Sequence, residues 1–422
     1  MLSNKKILLG VTGSIAIYKA IELLRLFKKA NATVKVIMTP SAKRFISPLT
    51  FEGAGSEKIL DESTEDWTNR NNHIHVCEDY DLLVIAPATA NTINKLSNGI
   101  ADNLLTQTAL AFAKPKIVAP SMNSNMYHNR FTEASLKLLK INGYKVIEPT
   151  TKELACGTVG EGALADVEEI FYQSARELLQ DSFWQDRYAI ITGGGTIEKI
   201  DDVRFISNFS SGKQACALAK ALYIKGATME LITTKECEAL PKEIEVFKVE
   251  SAQQMQEYLI ERIKVAKRGV VKKPDLINDL TQPQLIQKKP YLFMSAAVSD
   301  YKPKYQQSGK LKKDQLGKEW CLELVKNIDI LKSLEEEKEI VKIGFKAEMD
   351  EAKALENAQR MLKEKSLDAV CLNLVKGATK FGSDKNQIVY ITESKSVKSP
   401  LKDKLSLSFD IAEIVKDLDE QG

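Results

Sequence analysis

Twice in this chain a short, continuously apolar run enters a glycine-rich turn and hands over to a helix-spaced pattern. That recurrence limits the fold more than any other feature. The first instance is KKILLGVTGS, residues 5–14, and the second is RYAIITGGGT, residues 187–196. A strand covered on both faces reads as an unbroken apolar run, and a glycine turn feeding a helix opens a βαβ unit. After the first turn Ile17, Ala20, Ile21, Leu24 and Phe27 recur at helical spacing, and TVKVIMT follows as the next strand. Runs at Leu82–Ala86, Lys116–Ala119 and Lys145–Ile147 continue the alternation. In the second half a helix around Ala215–Lys225, the strand MELITT, a helix Gln253–Lys267 and the strand YLFMSAAV repeat it. The fold class this predicts is α/β, with two doubly wound Rossmann-like domains in series, each with a ligand crevice at its strand ends.

The length of 422 residues suits this reading, at about 150 residues per domain. The polar, aromatic-containing stretch QDSFWQDR, residues 180–187, sets the boundary near 183, giving domains 1–183 and 184–422. A polar insert over 264–289 reads as a solvated loop, and the C-terminal end as a strand pair with a closing helix. Hydrophobic residues at 44% and charged residues at 28% exclude a disordered or fibrous chain. Sixty Lys and Arg against 57 Asp and Glu leave a net +3, too little for a general nucleic-acid binder, so any phosphate recognition is local. No apolar run reaches the ~20 residues of a membrane helix, and the start enters a glycine loop rather than a signal-peptide cleavage site. A cytoplasmic protein is expected, with neither membrane nor nucleic acid as partner. The six cysteines form no CxxC pair and no metal-ligand spacing, which predicts neither structural disulfides nor zinc.

In the first half GVTGSIA, residues 10–16, is not a GxGxxG fingerprint, and no acid suited to a ribose closes the second strand. Alone it is as readily a tight turn as a phosphate loop. Further landmarks are IAPATANTINKLSNGIADNLL at 85–105, PSMNSNMY at 120–127, His73 in NHIHV, and ACGTVGEGALAD at 155–166. Taken together these resemble the flavin-dependent cysteine decarboxylase family over residues 1–180. The resemblance implies FMN, held by Gly13, Ser14, Ile15, Thr39, Ala88, Thr89, Ala90, Asn91, Ala101, Asp102 and Met122. It implies that His73 is the base assisting thiol oxidation, that Asn123 holds the substrate carboxylate, and that Cys156 donates a proton to the enethiol. Taken singly, such a histidine is more often structural, such an asparagine a turn residue and such a cysteine an inert thiol. His75 would share a strand face with His73 if both were extended. The chain departs from the family at Ala163, where relatives usually carry Arg, while Leu164 follows where they carry Met or Leu.

The second half carries TGGGTIEKIDDVRFISNFSSGKQA (192–215), SAAVSDYKP (295–303), GKLKK (309–313), ELVKNIDI (323–330), IGFKAE (343–348) and NLVKGATKFGSDKN (373–386). Glycine turns and an SGK at a helix start suit anions, yet GxxxxGK[ST] is absent, so a P-loop ATPase is disfavoured. These motifs resemble the phosphopantothenate–cysteine ligase domain, and the two halves together resemble the bifunctional coenzyme A biosynthesis family. The resemblance implies 4'-phosphopantothenate, L-cysteine and CTP as substrates, with Mg2+. Asn208 would stabilise an acyl-cytidylate and Lys310 assist its formation, with Asp300 as metal or nucleotide ligand. Gly194, Ala296 and Ala297 would line the nucleotide pocket, Asn327, Ile328, Asp329, Ile330 and Phe345 would meet the cytidine, and Lys365 its phosphates. Met361 stands where a second basic residue is expected, with Arg360 beside it as a substitute. Any one of these lysines taken alone reads as a solvated helix face. The family further implies a homo-oligomer with a trimeric flavin core, a dodecamer where ligase domains pair. Two alternatives stay open: a flavin-fold regulatory binding module beside an active ligase domain, and an NAD(P)-dependent reductase, which the missing fingerprint disfavours.

Overall fold

The computed structural model describes residues 1–153, 157, 159–272, 282–312, 319–376 and 382–419. Cys156 lies outside the described residues. The chain forms two compact units, one built on Met1–Leu179 and the other on Gln180–Lys272 with Gln284–Gly422.

In the first unit six parallel strands, β1 (Lys6–Val11), β2 (Thr33–Met38), β3 (Glu57–Leu60), β4 (Leu82–Ala88), β5 (Lys116–Pro120) and β6 (Tyr144–Val146), lie in the order β3-β2-β1-β4-β5-β6. Every residue of β4 is buried, and so is every residue of β1 after Lys6, as a sheet covered on both faces requires. Its cover includes α1 (Tyr18–Lys29), α2 (Ala90–Ser97), α3 (Leu104–Ala111), α4 (Arg130–Ile141) and α5 (Val167–Leu179). On α1 the side chains of Ala20, Leu23, Leu24 and Phe27 are the buried ones, the i, i+3, i+4, i+7 stripe of an amphipathic helix. The chain runs outward through β2 and β3, then returns past β1 to start β4. The loops leaving β1 and β4 therefore diverge and leave a crevice between them, the switch point of a doubly wound sheet.

The second unit repeats the device. Its sheet comprises β7 (Tyr188–Gly193), β8 (Thr228–Thr233), β9 (Glu245–Lys248), β10 (Tyr291–Met294), β11 (Val341–Glu348), β12 (Ala369–Leu374), β13 (Ile388–Ile391) and β14 (Ser396–Lys398). The order is β9-β8-β7-β10-β11-β12-β13-β14, with the switch between β7 and β10 and the last two strands antiparallel. The helices that matter below are α6 (Lys213–Lys225), α7 (Ala252–Lys267), α8 (Glu351–Glu364) and α9 (Lys404–Ile414).

Four expectations change. Cys216 on α6 and Cys237 after β8 form a disulfide, their Cα atoms 5.7 Å apart. No spacing rule announces it, because the docking of α6 beside β8 brings the two together. The insert read as a loop is partly a ribbon: α7 runs to Lys267, and Val270–Lys272 then pairs antiparallel with Gln284–Ile286. The stretch that set the boundary near 183 belongs to the second unit from Gln180 on and contributes to its core. Trp184 is fully buried, donates its indole N–H to the Ala412 carbonyl at 3.0 Å, and meets Tyr291 edge-on. Finally, His75 opens a short helix, His75–Asp79, held by Asn72, so it shares no strand face with His73.

Candidate functional site

The first crevice is built by hydroxyls that tie strand ends together. Thr12 Oγ1 donates to the Pro87 carbonyl at 2.7 Å and accepts from the Thr89 amide at 3.1 Å, clamping the end of β1 to the end of β4. Ser14 and Ser121, after β1 and β5, pair through their hydroxyls at 3.0 Å. Thr39 accepts from the Ala42 amide beyond β2, and Thr89 caps α2 by accepting from Thr92. A side chain at Gly13 would bring its Cβ within 2.7 Å of Ser41 Cβ, so only glycine lets the first turn close on the second. The strand Val159–Ala163 reaches this edge because the Met122 amide donates to the Gly162 carbonyl at 2.9 Å. Thus Gly13, Ser14, Ile15, Thr39, Ala88, Thr89, Ala90, Asn91 and Met122 all lie at the strand ends of one sheet edge, whereas Ala101 and Asp102 lie in the loop between α2 and α3. Asp102 there is exposed and paired with Lys95.

Asn123 caps the turn Ser124–Tyr127, its Oδ1 accepting from the Asn125 amide at 2.9 Å. His73 has a partner that the sequence did not announce: its Nδ1 lies 2.7 Å from Glu65 Oε1, with Trp67 edge-on to the ring at 5.4 Å. An ionised carboxylate only accepts, so Nδ1 is assigned the hydrogen, which leaves the lone pair of the neutral ring on Nε2. An acid eight residues upstream fits no motif, which is why no spacing rule finds it.

At the second switch point the glycines are there for close approach. A Cβ on Gly194, whose φ is +81°, would stand 2.2 Å from Thr234 Oγ1, and one on Gly195 would stand 2.5 Å from the Asn208 carbonyl. The turn is laced to the loop after β10: Ala297 donates to Gly194 O at 2.8 Å, and Thr196 donates to Ala297 O. Asn208 is exposed and donates through Nδ2 to the Val298 carbonyl at 2.9 Å. A cleft of about 190 Å3 opens there, walled by the start of α6, by Ala296 and Ala297, and by Phe345 and Lys346 of β11.

The other expected nucleotide residues do not line this cleft. Asp300 and Asn327 meet through the Asn327 amide and the Asp300 carbonyl, at 2.8 Å, and the Asn327 Nδ2 is buried with no partner. Asp329 caps the short helix opening at Ile330 and pairs with Lys365 at 3.0 Å. Lys310 is exposed. Met361 belongs to the core: its Cε packs under Gly344, 2.9 Å from where a Cβ would be. Arg360 is an exposed side chain bonded to Asn357 on the same helix and is not among the cleft residues. Residues that sequence reasoning missed are Asn373, Lys385 and Lys404, all lining the cleft. Lys385 sits inside the GSDKN motif, while Lys404 opens what read only as a closing helix. Among the described residues no group of three or more His, Cys, Asp or Glu side chains could hold a metal, and no helix is long and apolar enough to cross a membrane.

Two switch-point crevices on two doubly wound sheets define a two-domain enzyme with a flavoprotein fold in its first half. Residues 1–179 match the Flavoprotein family, and residues 184–274 and 278–418 match the DNA/pantothenate metabolism flavoprotein C-terminal domain. The chain belongs to the family of the coenzyme A biosynthesis bifunctional protein CoaBC. It is 36% identical to the CoaBC of Bacillus subtilis (strain 168), covering 100% of this chain and 99% of that one. It is 35% identical to the CoaBC of Haemophilus influenzae, covering 97% and 96%. A crystal structure of the C-terminal domain of a CoaBC protein aligns with a TM-score of 0.43 at 27% identity, covering 57% of this chain and 100% of that one.

Proposed function

We propose that the second unit joins 4'-phosphopantothenate to L-cysteine using CTP, and that the first unit, with FMN, decarboxylates the product to 4'-phosphopantetheine. The observation that supports this reading is a crevice at each switch point, with Gly13, Ser14, Thr39 and Thr89 at the strand ends of the first and Ala296, Ala297 and Phe345 lining a cleft at the second.

The ligase chemistry starts from a poor electrophile, since a carboxylate is anionic and lacks a leaving group. Its oxygen attacks the α-phosphorus of CTP, the bond to pyrophosphate breaks, and an acyl-cytidylate results. The amine of cysteine then attacks the acyl carbon, CMP departs with the bonding pair, and the ammonium proton goes to solvent. Lys310 neutralises phosphate charge as it shifts. Asn208, anchored by one amide N–H to Val298 O, offers its remaining amide groups to the mixed anhydride. Asp300 supplies a single carboxylate, which suits Mg2+ held mainly by phosphates and water.

The first crevice fits FMN: the hydroxyls of Ser14, Thr39 and Thr89 suit a phosphate, and small residues at 13, 88 and 90 leave space beside them. When bound, FMN supplies the two-electron oxidation of the cysteinyl carbon beside the thiol, which gives the departing carboxylate an electron sink. His73 Nε2 accepts the thiol proton while Glu65 fixes its ring. Asn123, with Oδ1 committed to its turn, binds the carboxylate through amide N–H groups. Cys156 is assigned the return of a proton to the enethiol on the family resemblance alone. A homo-oligomer with a trimeric flavin core is part of the proposal. Support comes from Phe131, 80% exposed, and Met126, which line one open cavity at the surface.

Supplying 4'-phosphopantothenate, L-cysteine, CTP and Mg2+ and following CMP and pyrophosphate tests the ligase half. Supplying 4'-phosphopantothenoylcysteine to the yellow holoprotein and following carbon dioxide tests the other. Ligation without decarboxylation by flavin-loaded protein would instead favour the regulatory-module alternative.

A further inference from the structure

The cleft at the start of α6 carries lysines to which sequence reasoning assigns no role. Lys213, Lys346, Lys385 and Lys404 all line it. Lys213 is paired with Asp384 at 2.6 Å and donates to the Gly382 carbonyl at 3.1 Å, and Lys346 has Glu348 at 3.4 Å. The ammonium groups of Lys385 and Lys404 have no partner among the described residues.

Lys404 is the more costly of the two. It is half-buried at the first position of α9, where the helix end is itself positive; the Asp403 carboxylate caps that end by accepting from the Ser406 amide, and no acid follows in the first turn. Burial and the nearby Lys213 charge both push its pKa below the usual lysine value, with Asp384 acting against them. Local conflicts of this kind are expected at functional or strained sites.

Its position is also fixed. Lys385–Asn386 pairs antiparallel with Lys402–Asp403, and the Lys404 amide donates to Asp384 O at 3.0 Å. Buried Asn386 donates to Gln214 on the first turn of α6, and Gln214 donates to Ser408 on α9, at 3.3 and 3.0 Å. Lys385 and Lys404 are thus held in register with the amides that open α6. Asn373 also lines this cleft, and its Oδ1 is buried and unpartnered.

We propose that Lys385 and Lys404, with Lys213, form a phosphate-binding subsite of the ligase cleft, separate from Lys310 and Lys365. This rests on the ligase reading above. Two substrates bring phosphate oxyanions to that unit, the nucleoside triphosphate and the 4'-phosphorylated acid, and the shared chemistry is recognition of those oxyanions by ammonium groups.

The test uses the full-length flavin-loaded protein and the variants Lys385→Gln, Lys404→Gln and Lys404→Arg. Calorimetry measures binding of CTP, of inorganic pyrophosphate and of 4'-phosphopantothenate, beside the KM of each substrate in ligation. Each glutamine variant is expected to weaken one class of ligand about tenfold or more, with Lys404→Arg retaining most of the affinity. Weakened CTP and pyrophosphate with unchanged 4'-phosphopantothenate assigns the subsite to the nucleotide, and the converse assigns it to the acid. Binding and KM of all three ligands within about twofold of wild type would overturn the proposal. If Lys404→Gln fails to fold, the exposed Lys385→Gln decides alone. If the wild-type protein forms no amide, it is the ligase reading that falls.

Discussion

On the proposed reading His73 is a base, and Glu65 is what makes it usable. The carboxylate 2.7 Å from Nδ1 fixes both ring orientation and tautomer, and without it the imidazole can turn or protonate the other nitrogen. Glu65→Ala is therefore expected to lower the rate of carbon dioxide release from 4'-phosphopantothenoylcysteine by about tenfold or more, with ligation unchanged. Equal loss in both assays would mean that Glu65 serves folding instead. In the other unit, Asn208→Ala should cut pyrophosphate release at least about tenfold while decarboxylation of supplied substrate continues. At this scale the sequence was readable where residue types come in motifs, as in SNFSSGK or PSMNSNMY. It was silent on Glu65 and Lys404, whose partners come from folding rather than spacing.

Elements were legible in proportion to their burial. β1, β4, β7 and β10 announced themselves as apolar runs because both faces of each sheet are covered, and α7 was found almost to the residue. The ribbon of Val270–Lys272 with Gln284–Ile286 was not, since its three-residue, part-exposed strands carry no period to read. The Cys216–Cys237 bridge was equally hidden, as its partners meet only once α6 docks. In the chain-entropy picture closing a loop of this length stabilises by about 3 kcal/mol, so Cys237→Ser should shift urea unfolding of the second unit, followed by fluorescence of buried Trp184, to a lower midpoint. An unchanged midpoint would show that the bridge adds nothing to stability. The strand Val159–Ala163 depends on Gly162, whose φ is +138° and whose Cβ would stand 2.4 Å from Met122 O. Gly162→Ala should release this strand from Met122 at a cost of about 1–3 kcal/mol and weaken flavin retention, measured by dialysis and absorbance. Flavin retention equal to wild type would contradict that contact's role.

For the whole molecule, each unit has its own sheet, core and crevice, and each should answer separately to solvent and to substrate. Asp181 illustrates the first. Burial raises its pKa, but the Lys416 ammonium and the Trp184 amide outweigh that and hold it below the ordinary value. A depressed carboxyl pKa adds stability that is present above about pH 4 and is lost as pH falls through the folded value, because the unfolded chain takes up the proton first. Urea midpoints of the second unit should fall in that acid window, and Asp181→Asn should flatten the slope; an identical slope would place its origin elsewhere. The central claim concerns substrates: two crevices on one chain perform consecutive steps. The direct measurement is mass-resolved product analysis after flavin-loaded protein is given 4'-phosphopantothenate, L-cysteine, CTP and Mg2+. The account predicts 4'-phosphopantetheine, carbon dioxide, CMP and pyrophosphate in equal amounts. Product that stops at 4'-phosphopantothenoylcysteine, or no amide at all, would contradict it.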